Sequence, residues 1–315
     1  MNIDTGMVLG NAEATIEQEI DTSNSNVEYS EYFKFELKSS DVVSDTMTAE
    51  ITSICNVSPK STCKQGPGPW TGPKPVTIGV PMEGHWLRTW MKSKMHDVMN
   101  MEYTIAVSIP GATIGTASWG GLNQPGAFEY AVRCDNEVGK YAGCIVPSFT
   151  PTYTVDSKYN LSRQYIGMVQ ASMSTHPGWE GHGEPLHREA NEKAARDNRN
   201  AICDGTFKAN PTTPPPAQCD EWPFAKSKES GGSSGAKGSS CQQYAVITET
   251  LEGEVYTSLT WPGLNQGKMP PANAKCARAS MPKVENEGVG GGLGRVTTDW
   301  RLIDGDAYWV DAGNG

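Results

Sequence analysis

The chain predicts an α+β protein in two parts, a β-sandwich-like N-terminal domain followed by a disulfide-braced mixed domain. Three observations predict it. Apolar residues alternate with polar ones through the first half, a single clear helical pattern appears only past the middle, and eight cysteines fall at irregular spacings. At 315 residues the chain exceeds one small domain. Its 34 glycines and 21 prolines favour short strands and turns over long helices.

The strands come first. Phe33, Phe35 and Leu37 alternate in "EYFKFELKSS", as do Met101, Tyr103, Ile105, Val107 and Ile109 in "MEYTIAVSIP", and Phe128, Tyr130 and Val132 in "AFEYAVRCD". Each run has one apolar side, the mark of a half-buried strand. Turn-rich stretches such as "PGPGPWTGPKP" and "SWGGLNQPG" separate them, which fits an antiparallel sandwich over 1–166. The periodicity of "HWLRTWMKSKMHDVMN" fits a strand or a short helix equally. A Gly-, Pro- and His-rich passage, 167–184, reads as a junction, and 185–315 as the second domain.

In the second domain, "EPLHREANEKAARDNRNAIC" is the best helix, with Leu186, Ala190, Ala194 and Ala201 near one stripe. "QQYAVITETL" reads as a strand and "RLIDGDAYWVDAG" as a hairpin strand. Two stretches, "DGTFKANPTTPPPAQ" and "WPGLNQGKMPPANAKC", read as loops, and "ESGGSSGAKGSS" reads as a flexible linker.

The cysteines show no C-x-x-C spacing, which favours disulfides over zinc and an oxidising, extracellular compartment. Neighbours in sequence are the expected pairs: 55 with 63, 134 with 144, 203 with 219, and 241 with 276. Eight cysteines allow about 105 connectivities. The opening "MNIDTGMVLGNAEATIEQE" has neither a basic n-region nor an apolar h-region, so it reads as no signal peptide; a mature secreted form carrying an added Met is the expectation. No run of about 18 apolar residues predicts a membrane span. Net charge is −10, which argues against a broad basic face that coats nucleic acid. The acidity is uneven: residues 1–159 hold 11 Lys+Arg against 18 Asp+Glu, and 160–315 hold 15 against 18.

Two segments of the second domain carry chemistry. "CDEWPFAKSKESGG" sets Asp220 and Glu221 before Trp222 and Pro223, with Glu229 ahead of Gly231 and Gly232. "ENEGVGGGLG" supplies Asn286, Gly288, Gly290, Leu293 and Gly294. Together, in this order, they resemble the NucA/NucB-type secreted deoxyribonuclease family, whose members carry D-E-[WY]-P-[MF]-A, an acid-Gly-Gly loop and N-x-G-x-G-x-x-[IL]-G. The flanks "DNRNAIC" and "RLIDGDAYWV" extend the resemblance over roughly 185–310. One departure stands out: Ser230 separates Glu229 from the glycine pair.

The resemblance implies a ββα-metal core, a secreted metal-dependent non-specific endonuclease, DNA as substrate, and Mg²⁺ or Mn²⁺ as cofactor. It assigns catalytic roles to Asp220, Glu221 and Glu229, metal contacts to Asp220, Glu229 and Asn286, and a phosphate contact to Arg199. Phosphodiester hydrolysis needs a base for water and a cation for the charge growing on phosphorus oxygens, and carboxylates beside an amide oxygen suit a hard ion. Adjacent strand residues face opposite ways, so at most one of Asp220 and Glu221 is expected at the metal-bound water. The glycines lack a G-K-[ST] ending, which excludes a nucleotide-cofactor loop.

Other readings of the same residues are plainer. Asn286 reads locally as a helix cap, and the arginines at 188, 196 and 199 as solvated or paired with Glu189, Glu192 and Asp197. His176, His182 and His187 have no helical register or thiolate neighbour and read as surface histidines. The alternative for the whole chain is a catalytically inactive extracellular binding or adhesion protein that keeps the nuclease fold.

Overall fold

The computed structural model describes residues 10–41, 47–56, 62–70, 72–91, 95–121, 131–261 and 268–314. Phe128 and Tyr130, the middle of "HWLRTWMKSKMHDVMN", part of the "SWGGLNQPG" turn and part of the loop after Trp261 lie outside them. The chain divides into two compact units, Met1–Phe149 and Thr150–Gly315.

The first unit is built from strands β1 (Ala12–Asp21), β2 (Glu28–Ser40), β3 (Thr48–Asn56), β4 (Thr62–Gln65), β5 (Lys74–Pro75), β6 (Met82–Met91), β7 (His96–Ser108), β8 (Gly115–Gly120), β9 (Ala131–Asp135) and β10 (Gly143–Ile145). One sheet runs β1-β2-β6-β4 and the other β10-β9-β7-β3-β5, with β8 also on β7; all pairings are antiparallel. The predicted alternation is realised: Tyr29, Phe33, Phe35 and Leu37 of β2 bury against Ala49 and Ile51 of β3 and Met99, Met101, Tyr103 and Ile105 of β7 in one core. Side chains from both sheets fill that core, so the unit is a sandwich. Each such large side chain contributes roughly 1.5–3 kcal/mol by leaving water. The segment that fitted helix or strand falls into β6 and β7, and Trp86 and Trp90 of β6 join the core.

That core also holds a charged pair. Arg88 and Glu31 meet at 2.8 Å with both side chains fully buried. The Tyr103 hydroxyl donates to Glu31, and Arg88 donates to Ser53 and Gln65. These bonds offset part of the cost of burying the pair, while Arg88 Nε finds no hydrogen-bond partner among the described residues. Disulfide Cys55–Cys63 ties β3 to β4 of the opposite sheet, and Cys134–Cys144 ties β9 to β10.

The second unit contains β11 (Thr152–Thr154), α1 (Asn160–Ser172), β12 (Leu186–His187), α2 (Glu192–Ile202), β13 (Ala217–Trp222), β14 (Gln242–Leu251), β15 (Glu254–Thr260), β16 (Ala277–Pro282), α3 (Lys283–Asp299) and β17 (Ala307–Asp311). Its main sheet runs β13-β16-β14-β15, and a small sheet runs β11-β17-β12. β13 and β16 are antiparallel, with Asp220 opposite Ala279 and Glu221 opposite Arg278, and β16 passes directly into α3. Disulfides Cys203–Cys219 and Cys241–Cys276 join α2's end to β13, and the start of β14 to the approach of β16.

Four expectations are corrected here. The division falls after Phe149 instead of at 167–184, because Tyr153, Val155, Tyr165, Ile166, Val169 and Met173 are buried in the second unit's core; much of the expected junction is the end of α1 and the turns after it. The helix predicted from residue 184 starts at Glu192, where the Asn191 side chain accepts from the amides of Lys193 and Ala194. Leu186 instead joins β12, and the helix buries Ala195, Asn198 and Ile202. "AYWVD" is no hairpin strand, since it pairs parallel with β11 and antiparallel with the distant β12. The "ESGGSSGAKGSS" stretch is no linker: Ser230, Gly231 and Gly238 are buried, and a Cβ at Gly231 would strike the Cys276 side chain.

Candidate functional site

Three elements converge on one cleft of about 340 Å³. β13 brings Asp220 and Glu221, α2 brings Glu192, Arg196 and Arg199, and α3 brings Asn286, Gly290, Gly294 and Thr297. Arg188, Glu189, Lys226 and Tyr308 complete much of the wall.

Strand alternation separates the partners of the two adjacent acids. Glu221 is bonded to α2: Arg199 Nη1 donates to both of its carboxylate oxygens at 3.0 and 2.9 Å, and Nη2 donates to the Cys219 carbonyl. Burial raises the Glu221 carboxyl, and the Arg199 charge opposes that rise. Asp220, only 6% exposed, keeps Oδ2 without a hydrogen-bond partner among the described residues. Burial first, and then the neighbouring Glu221 charge, push its carboxyl up to about 8, with Arg199 pulling the other way.

Asn286 sits in the first turn of α3, whose N-cap is Pro282, so it is not the cap residue. Its amide nitrogen donates to Gln218 Oε1 at 2.9 Å and to the Cys219 carbonyl at 3.3 Å. Those bonds tie α3 to the strand bearing the acids. Glu285, beside it, points the other way and accepts from the Ser162 amide at the start of α1.

The glycine run reads locally as a loop, yet it lies within α3. Two of its glycines have packing reasons. A Cβ at Gly288 would run into the Tyr159 ring and one at Gly292 into the Tyr153 hydroxyl, which itself donates to the Val289 carbonyl. The helix therefore forms despite a propensity cost of roughly 1 kcal/mol per glycine, because tertiary contacts outweigh it.

Glu229 lies elsewhere. Its two oxygens are taken by the His187 backbone amide at 2.8 Å and by His187 Nδ1 at 2.7 Å, and it is absent from the cleft wall. Thus Asp220, Glu221, Arg199 and Asn286 are brought together, and Glu229 is not. Sequence reasoning treated Arg188 and Arg196 as ordinary surface charges and passed over Lys226 and Tyr308. Lys226 pairs with Glu192, Arg188 donates to the Leu302 carbonyl, and Arg196 is exposed at the rim. Tyr308 was legible only as a strand residue, since nothing local marks a ring that arrives from β17.

Among the described residues, no group of three or more His, Cys, Asp and Glu side chains is placed to hold a metal ion. A hard cation such as Mg²⁺ keeps several waters and needs only one or two protein carboxylates. The buried, unpartnered Asp220 Oδ2 is such an oxygen, and binding a cation there would displace the proton that burial favours.

No family model matches the chain, and no curated protein matches it. One solved structure is similar over a limited stretch, a conjugative transposon lipoprotein from Bacteroides eggerthii. It shares 11% identity over 34% of this chain and 93% of its own, with a TM-score of 0.18, too low to carry fold or function. Among the described residues, no helix is long and apolar enough to cross a membrane. Four disulfides are compatible with an oxidising, extracellular setting.

Proposed function

We propose that the second unit is a metal-dependent endonuclease that hydrolyses DNA phosphodiester bonds and works outside the cell. The observation that carries this reading is the Asp220 carboxylate: buried, without a partner for Oδ2 among the described residues, in a cleft whose wall sets Arg188, Arg196, Arg199 and Lys226 beside Glu189, Glu192 and Glu221. A protein gains nothing in stability from such a group, and perturbed carboxyls in clefts mark functional sites. The choice of DNA comes from the paired motifs around Asp220 and Asn286. The order β13, β16, α3 also agrees with a ββα core, in which two strands and a helix present ligands to one cation.

In this reading Asp220 would hold a hard divalent cation, and the side-chain carbonyl of Asn286 would be a second oxygen ligand. When bound, the cation supplies charge neutralisation at the phosphate and a more acidic water. Arg199, fixed by Glu221, places one cationic edge at the phosphate, and Arg196 extends the attraction along the rim, where Lys226 is paired with Glu192. Glu221 is a positioning residue, and Glu229 shapes the His187 turn. Because the whole chain is acidic, binding rests on this short basic track and is weak and salt-sensitive.

Plasmid nicking in Mg²⁺ or Mn²⁺, abolished by EDTA and by Asp220→Ala with the fold retained, is the expected result. An intact plasmid under every metal would leave the alternative, a binding protein that has the fold and no activity.

A further inference from the structure

Five glycines occur within α3, at 288, 290, 291, 292 and 294. Gly288 and Gly292 are required by the tyrosines packed on them, but a Cβ at Gly290, Gly291 or Gly294 would meet no atom within 4 Å. Nothing among the described residues explains those three, although each weakens the helix. Gly290 and Gly294 succeed Asn286 at intervals of four, so Asn286, Gly290 and Gly294 share one helix face, and all three line the cleft. The same cleft holds Asp220, more than nine-tenths buried with Oδ2 unpartnered, and Tyr308, whose buried hydroxyl is also unpartnered among the described residues. Gly291 does not line the cleft, and nothing in the structure explains it.

We propose that the Asn286–Gly290–Gly294 face of α3 is a contact strip for the sugar–phosphate backbone of a polynucleotide, kept free of side chains so that the ligand lies directly on the helix. The inference rests on the nuclease reading and adds to it the surface that selects a polymer over a small phosphodiester. A backbone held against the helix passes beside Asp220 without a bulky residue intervening. A small diester needs only the end of the cleft at Asp220. Gly290 and Gly294 are therefore specificity-determining positions, and Gly291 is an internal control.

The test uses the full chain in Mg²⁺ with two substrates, duplex plasmid DNA and bis(p-nitrophenyl) phosphate. Gly290→Leu and Gly294→Leu are expected to slow plasmid cutting about 100-fold, as loss of reactive positioning does, while hydrolysis of the small diester stays near wild type. Gly291→Leu is expected to leave both rates near wild type. Gly290→Ala and Gly294→Ala check folding, since each is expected to raise the unfolding temperature by roughly 2–4 °C. Plasmid cutting at the wild-type rate by both leucine variants would overturn the proposal. Equal loss on both substrates by a folded variant would overturn it too, because the glycines would then serve the reacting centre. If the wild type hydrolyses neither substrate, the nuclease reading fails, and anisotropy of a fluorescein-labelled duplex decides the strip separately. Binding weakened at least tenfold by Gly290→Leu supports it, and unchanged or absent binding overturns it.

Discussion

Replacing Asp220 by Asn removes a carboxyl that the fold accommodates poorly, and the size of the gain is set by its surroundings. An aspartate in an unfolded chain titrates near 4, whereas burial and the Glu221 charge hold Asp220 at about 8. Below about pH 4 the group is protonated in both states and both forms of the protein keep its full contribution. Between about pH 4 and 8 the unfolded chain has released a proton that the folded protein retains, so stability falls as pH rises, by about 1.4 kcal/mol per pH unit. Above about pH 8 the loss is complete, on the order of 5 kcal/mol. Asn carries no such penalty. Asp220→Asn is therefore expected to match wild type near pH 4 and to exceed it by several kcal/mol at pH 8, in EDTA. Native-state hydrogen exchange of the β13 and β16 amides isolates the second unit for this measurement. Millimolar Mg²⁺ should narrow the gap by stabilising the wild type alone. A variant no more stable at pH 8 than at pH 4, relative to wild type, would refute the claim that Asp220 is buried without compensation.

The packing leads to three further outcomes. Arg199→Ala leaves Glu221 buried without its cation and is expected to cost about 2–4 kcal/mol, toward the low end because the arginine is partly exposed; adding Glu221→Gln should recover more than half, and strictly additive effects in urea denaturation would contradict the pairing. In the first unit, Arg88→Met strands Glu31 in the sandwich core and is expected to cost about 3–5 kcal/mol, while the double change Arg88→Met with Glu31→Leu costs less; a double variant as unstable as the single would show that the pair is not coupled. Gly292→Ala should destabilise by about 1–3 kcal/mol despite alanine's better helix propensity, because the new Cβ meets the Tyr153 hydroxyl. Tyr153→Phe should relieve part of that cost, and stabilisation by Gly292→Ala in a thermal melt would contradict the packing.

The strands of the first unit were legible because one face of each is buried, so Phe33, Phe35 and Leu37, or Met101, Tyr103 and Ile105, repeat every second residue. The disulfide pairs were legible because all four join neighbours in sequence. A helix beginning near Asn286 was implied by the resemblance and by the cap reading, but its run through the glycines was not legible, since glycine disfavours helix locally and the reasons for it, Tyr153 and Tyr159, lie more than 100 residues earlier in the chain. The boundary was misplaced for a related reason: the Gly-, Pro- and His-rich passage lowers local pattern, while Tyr165, Ile166 and Val169 at its edge belong to a core that assembles at long range. At the site, the resemblance pointed to Asp220, Glu221, Asn286 and Arg199, which share a cleft. Glu229 carries the same chemistry, one residue out of the motif's spacing, but its oxygens are directed by the His187 turn, a contact no local pattern reveals.

The most direct measurement is the anomalous difference map of a crystal soaked in Mn²⁺. The account predicts a peak bonded to Asp220 Oδ2, at the roughly 2.1 Å typical of a small hard cation, with the Asn286 carbonyl oxygen and waters completing the shell. A lone peak between Glu229 and His187, or no peak anywhere near β13, would contradict it.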